Sequence, residues 1–286
     1  MLEGKTAVVT GAGSGLGKAI ALGLPFAGVK VGVLDINAKA VFEVAERINA
    51  EFEGFAFPMI ASVSDEGQLQ TAYAGFVKAF EKIDILVNCA GIARLAAVNE
   101  LSAKDIKLAN DVNIDGYFLN AKIASEFMIK EKCGEIINIS SASARGASEN
   151  SSLYGVAKET QCMMARSWAM DLGKHNIRVN AILAGDLFGD ENFGIDSGIW
   201  NKDYFEKKAV DKGLVKAGDK RISGEKLHPE VREMVIQHYC KRTALGKQIE
   251  YADVLNLIAF LSSGLGSKIT GESIAITSGN PSAFSR

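Results

Sequence analysis

At 286 residues with 48% hydrophobic content, the chain is long enough to bury a full core as one domain spanning 1–286. Lys and Arg number 32 against 34 Asp and Glu, a net charge of −2, which excludes the basic footprint that nucleic acid or an anionic membrane surface requires. The cysteines (Cys89, Cys133, Cys162, Cys240) form no CxxC pair and the histidines (His175, His228, His238) lack ligand spacing, so reduced buried thiols and no metal are expected. The opening MLEGKTAVVTG enters a β-type run at once, with no fit to a signal peptide. No apolar stretch is long enough for a bilayer, so the expected setting is the cytoplasm.

In chain order, the first β-branched run, Thr6–Thr10, is predicted as a strand. It leads into Thr10-Gly11-Ala12-Gly13-Ser14-Gly15-Leu16-Gly17 and a helix over Leu16–Ala27. Glycines allow a tight turn and close approach of the backbone to a pyrophosphate, while the helix N-terminus offers free N–H donors. The spacing is not G-x-G-x-x-G, because Leu16 and Lys18 stand where its last glycine would fall. Pro25 should end or kink the helix at Leu24. The next strand, Lys30–Asp35, ends in a carboxylate that can accept hydrogen bonds from both adenosine ribose hydroxyls and would repel a 2′-phosphate. Position 36 is Ile36 rather than arginine and Ser14 is uncharged, so NAD is favoured over NADP. Asp35 is also expected to cap the following helix.

That helix covers Ala38–Ala50, followed by a strand at Phe55–Ile60, a helix at Glu66–Phe80 and a strand at Ile83–Val87. One long helix is predicted over Ala103–Glu131, then a strand at Glu135–Ile139, a helix at Leu153–Lys174 and a strand at Ile177–Ile182. From Leu187 to about Lys241 the chain is rich in Gly, Lys, Asp and Glu, with no strand signal and Pro229 near the start of a helix. This insertion is expected to cover the carboxyl edge of the sheet, as lids and substrate loops do. A helix at Tyr251–Leu261 and a strand at Ser273–Thr277 complete the series. Alternating strands and helices predict an α/β fold: a Rossmann-type doubly wound parallel sheet of about seven strands, with helices on both faces and its crevice at the strands' carboxyl ends.

Tyr154 and Lys158 are four apart on a predicted helix and so share one face. A free phenol has a pKa near ~10. A neighbouring ammonium favours the phenolate, and lowering the pKa by about three units requires roughly 4 kcal/mol. Tyr154 is therefore the candidate general acid/base. At the end of the fifth strand Ser140, Ser141 and Ser143 are chemically equivalent candidates for donating to a substrate oxygen.

These motifs resemble the short-chain dehydrogenase/reductase family over nearly the whole chain. Thr10-Gly11-x-x-x-Gly15-x-Gly17 resembles its cofactor loop; Asn88-Cys89-Ala90-Gly91 is similar to its Asn-Asn-Ala-Gly motif. Asn113, Ser141 and Tyr154-Gly155-Val156-Ala157-Lys158 match its active-site asparagine, serine and Tyr-x-x-x-Lys. The resemblance implies catalytic roles for Asn113, Ser141, Tyr154 and Lys158, with Ser141 selected by its spacing to Tyr154. It implies that Asn113 kinks its helix and holds a water that relays protons from the lysine, which also holds the nicotinamide ribose. Cofactor contacts are implied for Gly11, Gly13, Ser14, Gly15, Leu16, Gly17, Asp35, Ile36, Ser62, Val63, Asn88, Ala90, Gly91, Val112, Tyr154, Lys158, Gly185 and Leu187. Ser62-Val63 stands where the family has an aspartate on the adenine side, and Ala184-Gly185 replaces its Pro-Gly, leaving a less rigid loop.

Two local resemblances bear on substrate. Ala184–Trp200 and His238-Tyr239-Cys240-Lys241-Arg242-Thr243 look like the dehydrogenase portion of fused rhamnulose-phosphate aldolase/dehydrogenases. Tyr251–Leu261 with Thr270-Gly271-Glu272-Ser273 is similar to sorbitol-6-phosphate dehydrogenases. Both point to a small polyol, sugar phosphate or hydroxyaldehyde, with Arg94 and Arg145 as candidate phosphate cations and Ser143 as a further substrate contact. The alternatives are a hydroxysteroid-type dehydrogenase and a non-catalytic NAD sensor, although sensors of this fold generally lose the tyrosine or lysine retained here. The resemblance also implies a homodimer or homotetramer formed through Ala103–Glu131 and Leu153–Lys174, the latter carrying Met163, Met164, Trp168 and Met170.

Overall fold

A computed structural model describes residues 2–146, 148–189 and 200–283. Seven parallel strands lie in the order β3-β2-β1-β4-β5-β6-β7: β1 Thr6–Thr10, β2 Lys30–Asp35, β3 Ala56–Ile60, β4 Ile85–Asn88, β5 Gly134–Ser141, β6 Ile177–Ala184 and β7 Ser273–Ile276. β1 is buried along its whole length because β2 and β4 flank it and helices cover both faces. The winding direction reverses between β1 and β4, which places the crevice at their carboxyl ends. Pro58 is accommodated in β3 because that strand lies at the sheet edge.

Nine helices are found among the described residues: α1 Gly15–Gly23, α2 Ala38–Glu51, α3 Glu66–Phe80, α4 Ala103–Asn110, α5 Gly116–Glu131, α6 Ser152–Leu172, α7 Lys202–Asp211, α8 Pro229–Cys240 and α9 Tyr251–Ser262. One core joins Leu69, Phe76, Tyr117, Ala124 and Ala165 of α3, α5 and α6 to one sheet face. A second joins Ile20, Val41, Val44 and Ile258 of α1, α2 and α9 to the other. The insertion has its own small core, in which the rings of Phe188, Trp200, Phe205 and Tyr239 pack on α7 and α8. None of the described helices is long and apolar enough to cross a membrane.

Four expectations need correction. The segment 103–131 is not one helix: a π turn over Asp111–Asp115 separates α4 from α5, with the Gly116 N–H reaching back to Asp111 O. Apolar periodicity runs across this break, so the pattern alone did not reveal it. α7 was not foreseen, because its sequence is mostly charged and only Phe205 and Ala209 are buried. The α2 cap is Asn37, whose side chain accepts from Ala40 N, while Asp35 accepts from Asn37 N. Cys133 is exposed rather than buried. Pro25 does end α1, which passes at Leu24 into a 3₁₀ turn over Leu24–Ala27.

Candidate active site

The glycine loop runs from β1 into α1, with Gly11 and Gly15 at positive φ (68° and 52°). Gly11, Gly13 and Gly17 leave no room for a side chain. A Cβ on Gly11 would lie 2.8 Å from Ala90 Cα and one on Gly13 2.9 Å from Asp35 Cγ, while one on Gly17 would collide with the Gly11 carbonyl. Ser14 caps α1 without a side-chain hydrogen bond, so the first N–H groups of that helix point to the crevice unsatisfied by a capping side chain. Asp35 closes the loop from β2: its Oδ2 accepts from Gly13 N at 3.0 Å and its Oδ1 from Asn37 N at 3.0 Å. Ile36 is 72% exposed beside it. Thr10 pins the neighbouring loop, because its hydroxyl accepts from both Cys89 N and Ala90 N at 3.0 Å.

Asn88 stands apart from this rim. Its side chain is buried, with Nδ2 donating to Asn138 Oδ1 at 3.1 Å and Oδ1 left without a hydrogen-bond partner among the described residues. Val63 packs against Gly116 and is buried; Ser62 hydrogen-bonds Ser64 within its own loop. Val112 is half-buried against the core within the π turn.

The four candidate catalytic residues converge at the carboxyl end of β5. Asn113 is 1% exposed and its side chain pairs reciprocally with Ile92, accepting from the backbone N at 2.9 Å and donating to the carbonyl at 2.9 Å. A Cβ on Gly91 would lie 3.2 Å from Asn113 Oδ1 and 3.9 Å from Lys158 Nζ, so the loop after β4 closes directly on the lysine. Lys158 is 5% exposed and donates to the Ile139 carbonyl at 2.8 Å and to Gln161 Oε1 at 3.1 Å. Its ammonium also lies 5.5 Å from the Tyr154 ring centroid. Ser141 and Tyr154 share a side-chain hydrogen bond.

The three serines separate by environment. Ser140 is buried and its hydroxyl donates to the Lys158 carbonyl at 2.7 Å. Ser143 uses its backbone N–H to bond Ser141 Oγ at 3.2 Å. Ser141, half-buried at the strand end, is the one beside the phenol.

The titration behaviour departs from the sequence argument. Burial pushes the Tyr154 phenol up to about 12, opposed by the Ser141 hydrogen bond and reinforced by the Cys89 and Asp186 charges. Burial also pulls Lys158 down to about 8. In the protein by itself desolvation thus outweighs the attraction expected between ammonium and phenolate.

Several neighbours of the site carried no sequence signal that was read. Gln161, on the same face of α6, bridges Lys158 to Asn113. Asp186, two residues beyond the end of β6, is half-buried, and burial pushes its carboxyl up to about 6 despite Arg242 and Lys208. Its charge reaches Tyr154, Tyr204 and Tyr239, which places it between the phenol and the insertion. Gly185 follows β6 and donates to the Ile276 carbonyl at 2.9 Å, with Leu187 packed on the core nearby. Of the phosphate candidates, Arg94 is already paired with Asp105 at 3.3 Å, whereas Arg145 is exposed after the Ala142–Ala144 turn. The likeness seen over Ala184–Trp200 falls largely on residues 190–199, outside the described residues.

Comparison with known proteins agrees with this geometry. Residues 5–190 match the family model for short chain dehydrogenase. The chain is 31% identical over 277 residues to sorbitol-6-phosphate 2-dehydrogenase of Escherichia coli K12, covering 96% of this chain and 98% of that protein. The crystal structure of sorbitol-6-phosphate 2-dehydrogenase from Erwinia amylovora superposes with a TM-score of 0.81 at 29% identity, over 96% of this chain and 98% of that one. 7α-hydroxysteroid dehydrogenase, complexed with NADH and 7-oxo glycochenodeoxycholic acid, superposes with a TM-score of 0.78 at 28% identity, over 98% of this chain and 95% of that one.

Proposed function

Because this chain belongs to the short-chain dehydrogenase family, we propose that it is an NAD-dependent oxidoreductase acting on the alcohol/carbonyl couple of a small polyol, sugar phosphate or hydroxyaldehyde. The observation that carries the reading is the convergence of Ser141, Tyr154 and Lys158 at one strand end, reached by the same loops that border the glycine cradle. When bound, nicotinamide would supply the hydride acceptor for oxidation and the donor for reduction.

The residues present fit such a cofactor. The close-packed glycines of the loop over Gly11–Gly17 and the start of α1 suit a pyrophosphate. Asp35 suits the adenosine ribose and disfavours a 2′-phosphate, which supports NAD over NADP. Ala90, Gly91, Gly185 and Leu187 would border the nicotinamide end. Tyr154 takes the proton from the substrate hydroxyl in oxidation and returns it in reduction, Ser141 donates to the same oxygen, and Lys158 supplies the positive charge that favours phenolate. The cationic ring of the oxidised cofactor would add to that charge, which offsets the desolvation that keeps Tyr154 protonated in the protein alone.

The insertion at 187–241 is proposed as the substrate cover, presenting Tyr204 and Tyr239, with Asp186 just before it, as polar contacts for a hydroxyl-rich molecule. Arg145 is the candidate cation for a phosphorylated substrate. Likeness to 7α-hydroxysteroid dehydrogenase favours a second reading, a larger apolar hydroxyl compound. Exposed Phe118, Val156, Met163 and Met170 on α5 and α6 support self-association, as a dimer or tetramer.

A panel of polyols, sugar phosphates, hydroxyaldehydes and hydroxysteroids, followed by cofactor absorbance with NAD and NADP in parallel, tests the reading. Turnover with NAD on a small polyol or its phosphate is expected, faster for the phosphate, and Arg145→Ala should remove that preference. Turnover confined to steroids would replace the substrate assignment, and none with any hydroxyl compound would overturn the enzyme.

A further inference from the structure

Gln161 is a fully buried polar side chain (0% exposed) for which the chemistry above has no use. It lies three residues after Lys158 and seven after Tyr154, so all three occupy one stripe of α6. Its amide is fixed at both ends. Nε2 donates to the Asn113 carbonyl oxygen at 2.9 Å, and Oε1 accepts from Lys158 Nζ at 3.1 Å. Turning the amide over would set an NH₂ against an ammonium and an oxygen against a carbonyl, so only this orientation satisfies the hydrogen bonds. Asn113 is itself held by the π turn and by its paired bonds to Ile92.

Lys158 has one other acceptor, the Ile139 carbonyl at 2.8 Å. Two of its three protons are thereby taken, and the direction in which the third points depends on both acceptors. We propose that Gln161 is a positioning residue for the Tyr154–Lys158 pair, its amide oxygen keeping the buried ammonium charged and aimed while tying it to the π turn. The proposal rests on the acid/base reading of that pair given above.

The physical reason is desolvation. Burial already pulls Lys158 down to about 8, and a buried ammonium deprived of an acceptor gives up its proton more readily. The titratable groups facing Lys158 are Cys89 from the loop after β4, Tyr117 from α5, and Tyr154 and Cys162 from α6; Asp186 faces Tyr154 from the far side. Burial holds Cys89 up at about 12 and pushes the Tyr117 phenol well above its usual value, so both stay neutral where Lys158 titrates. Loss of the ammonium should therefore appear as the falling, alkaline limb of the pH profile for alcohol oxidation, with the apparent values belonging to the pair.

The test compares kcat/KM against pH for the full-length wild type, Gln161→Met and Gln161→Glu, with NAD and the best alcohol from the panel. Circular dichroism and thermal melting would establish that each variant is folded. Methionine matches the length of glutamine without its amide, so the alkaline limb should move down by about one pH unit or more. Glutamate gives Lys158 a charged acceptor, so its limb should move above the wild-type position. Unchanged limbs, or a drop in rate of equal size at every pH, would show a packing role only and overturn the proposal. If Gln161→Met does not fold, a Gln161→Glu limb at or below the wild-type position overturns it and one above wild type upholds it. Full activity in Tyr154→Phe would instead overturn the underlying acid/base reading, so the two failures are distinguishable.

Discussion

Ser140 Oγ donates to the Lys158 carbonyl oxygen at 2.7 Å, which ties the end of β5 to the helix that carries the ammonium. The adjacent Ser141 bonds the Tyr154 side chain on the same helix. Neighbouring serines thus have different work although both reach α6, one bonding its backbone and the other the Tyr154 side chain. Ser140→Ala should lower stability by about 1 kcal/mol, the net value of one buried hydrogen bond, because the Lys158 carbonyl keeps its helical partner within α6, with little effect on turnover of the folded enzyme. Ser141→Ala should do the reverse, melting near wild type while kcat falls by about 10²-fold or more. Denaturant titration together with steady-state kinetics checks both, and interchanged phenotypes would refute the assignment.

Asp35 sits where charge decides between cofactors, although it also braces the loop through Gly13 and Asn37. Asp35→Ala should therefore weaken both cofactors, and NAD more. Two charge-assisted hydrogen bonds at about 1.5–3 kcal/mol each would be lost from NAD, while a repulsion is removed from NADP. The ratio of the two affinities, measured by calorimetry, should move toward NADP by about tenfold or more. Equal losses would reduce the carboxylate to a structural brace.

Much of this arrangement was legible in the sequence, for identifiable reasons. Parallel strands buried on both faces leave dense β-branched runs such as Lys30–Asp35, whose bounds the structure reproduces. The glycines, Asp35, Tyr154 and Lys158 announce themselves because few other residue types serve at those positions. The π turn at Asp111–Asp115 contains Asn113, where the family resemblance implies a kink, whereas apolar spacing alone reads Ala103–Glu131 as one helix. Gln161 did leave a signal: a long polar side chain on the buried stripe of α6, between Lys158 and Ala165. A polar residue on an apolar stripe needs a partner, and that partner, Asn113, becomes visible only once the helices are packed.

A further prediction concerns stability. Glu135 is buried in β5 against Arg178, with Asn180 donating to its Oε1 at 3.1 Å. Burial pushes its carboxyl up to about 7, with Arg178 and Asn180 pulling back. A folded pKa above the unfolded one means that the folded state binds the proton more tightly, so the associated stability is full below about 4.5 and is lost as pH rises through about 7. Unfolding free energy should fall by on the order of 2–3 kcal/mol more across that window in the wild type than in Glu135→Gln. Parallel curves would show that the carboxylate is not the group responsible.

Tyr154 is the group proposed to exchange a proton with substrate, and Tyr154→Phe isolates its oxygen with the smallest change of shape. NADH affinity, measured by fluorescence titration, should remain within a few-fold of wild type, while turnover falls by about 10²- to 10⁴-fold. Undiminished turnover in a variant that still binds cofactor would contradict the mechanism.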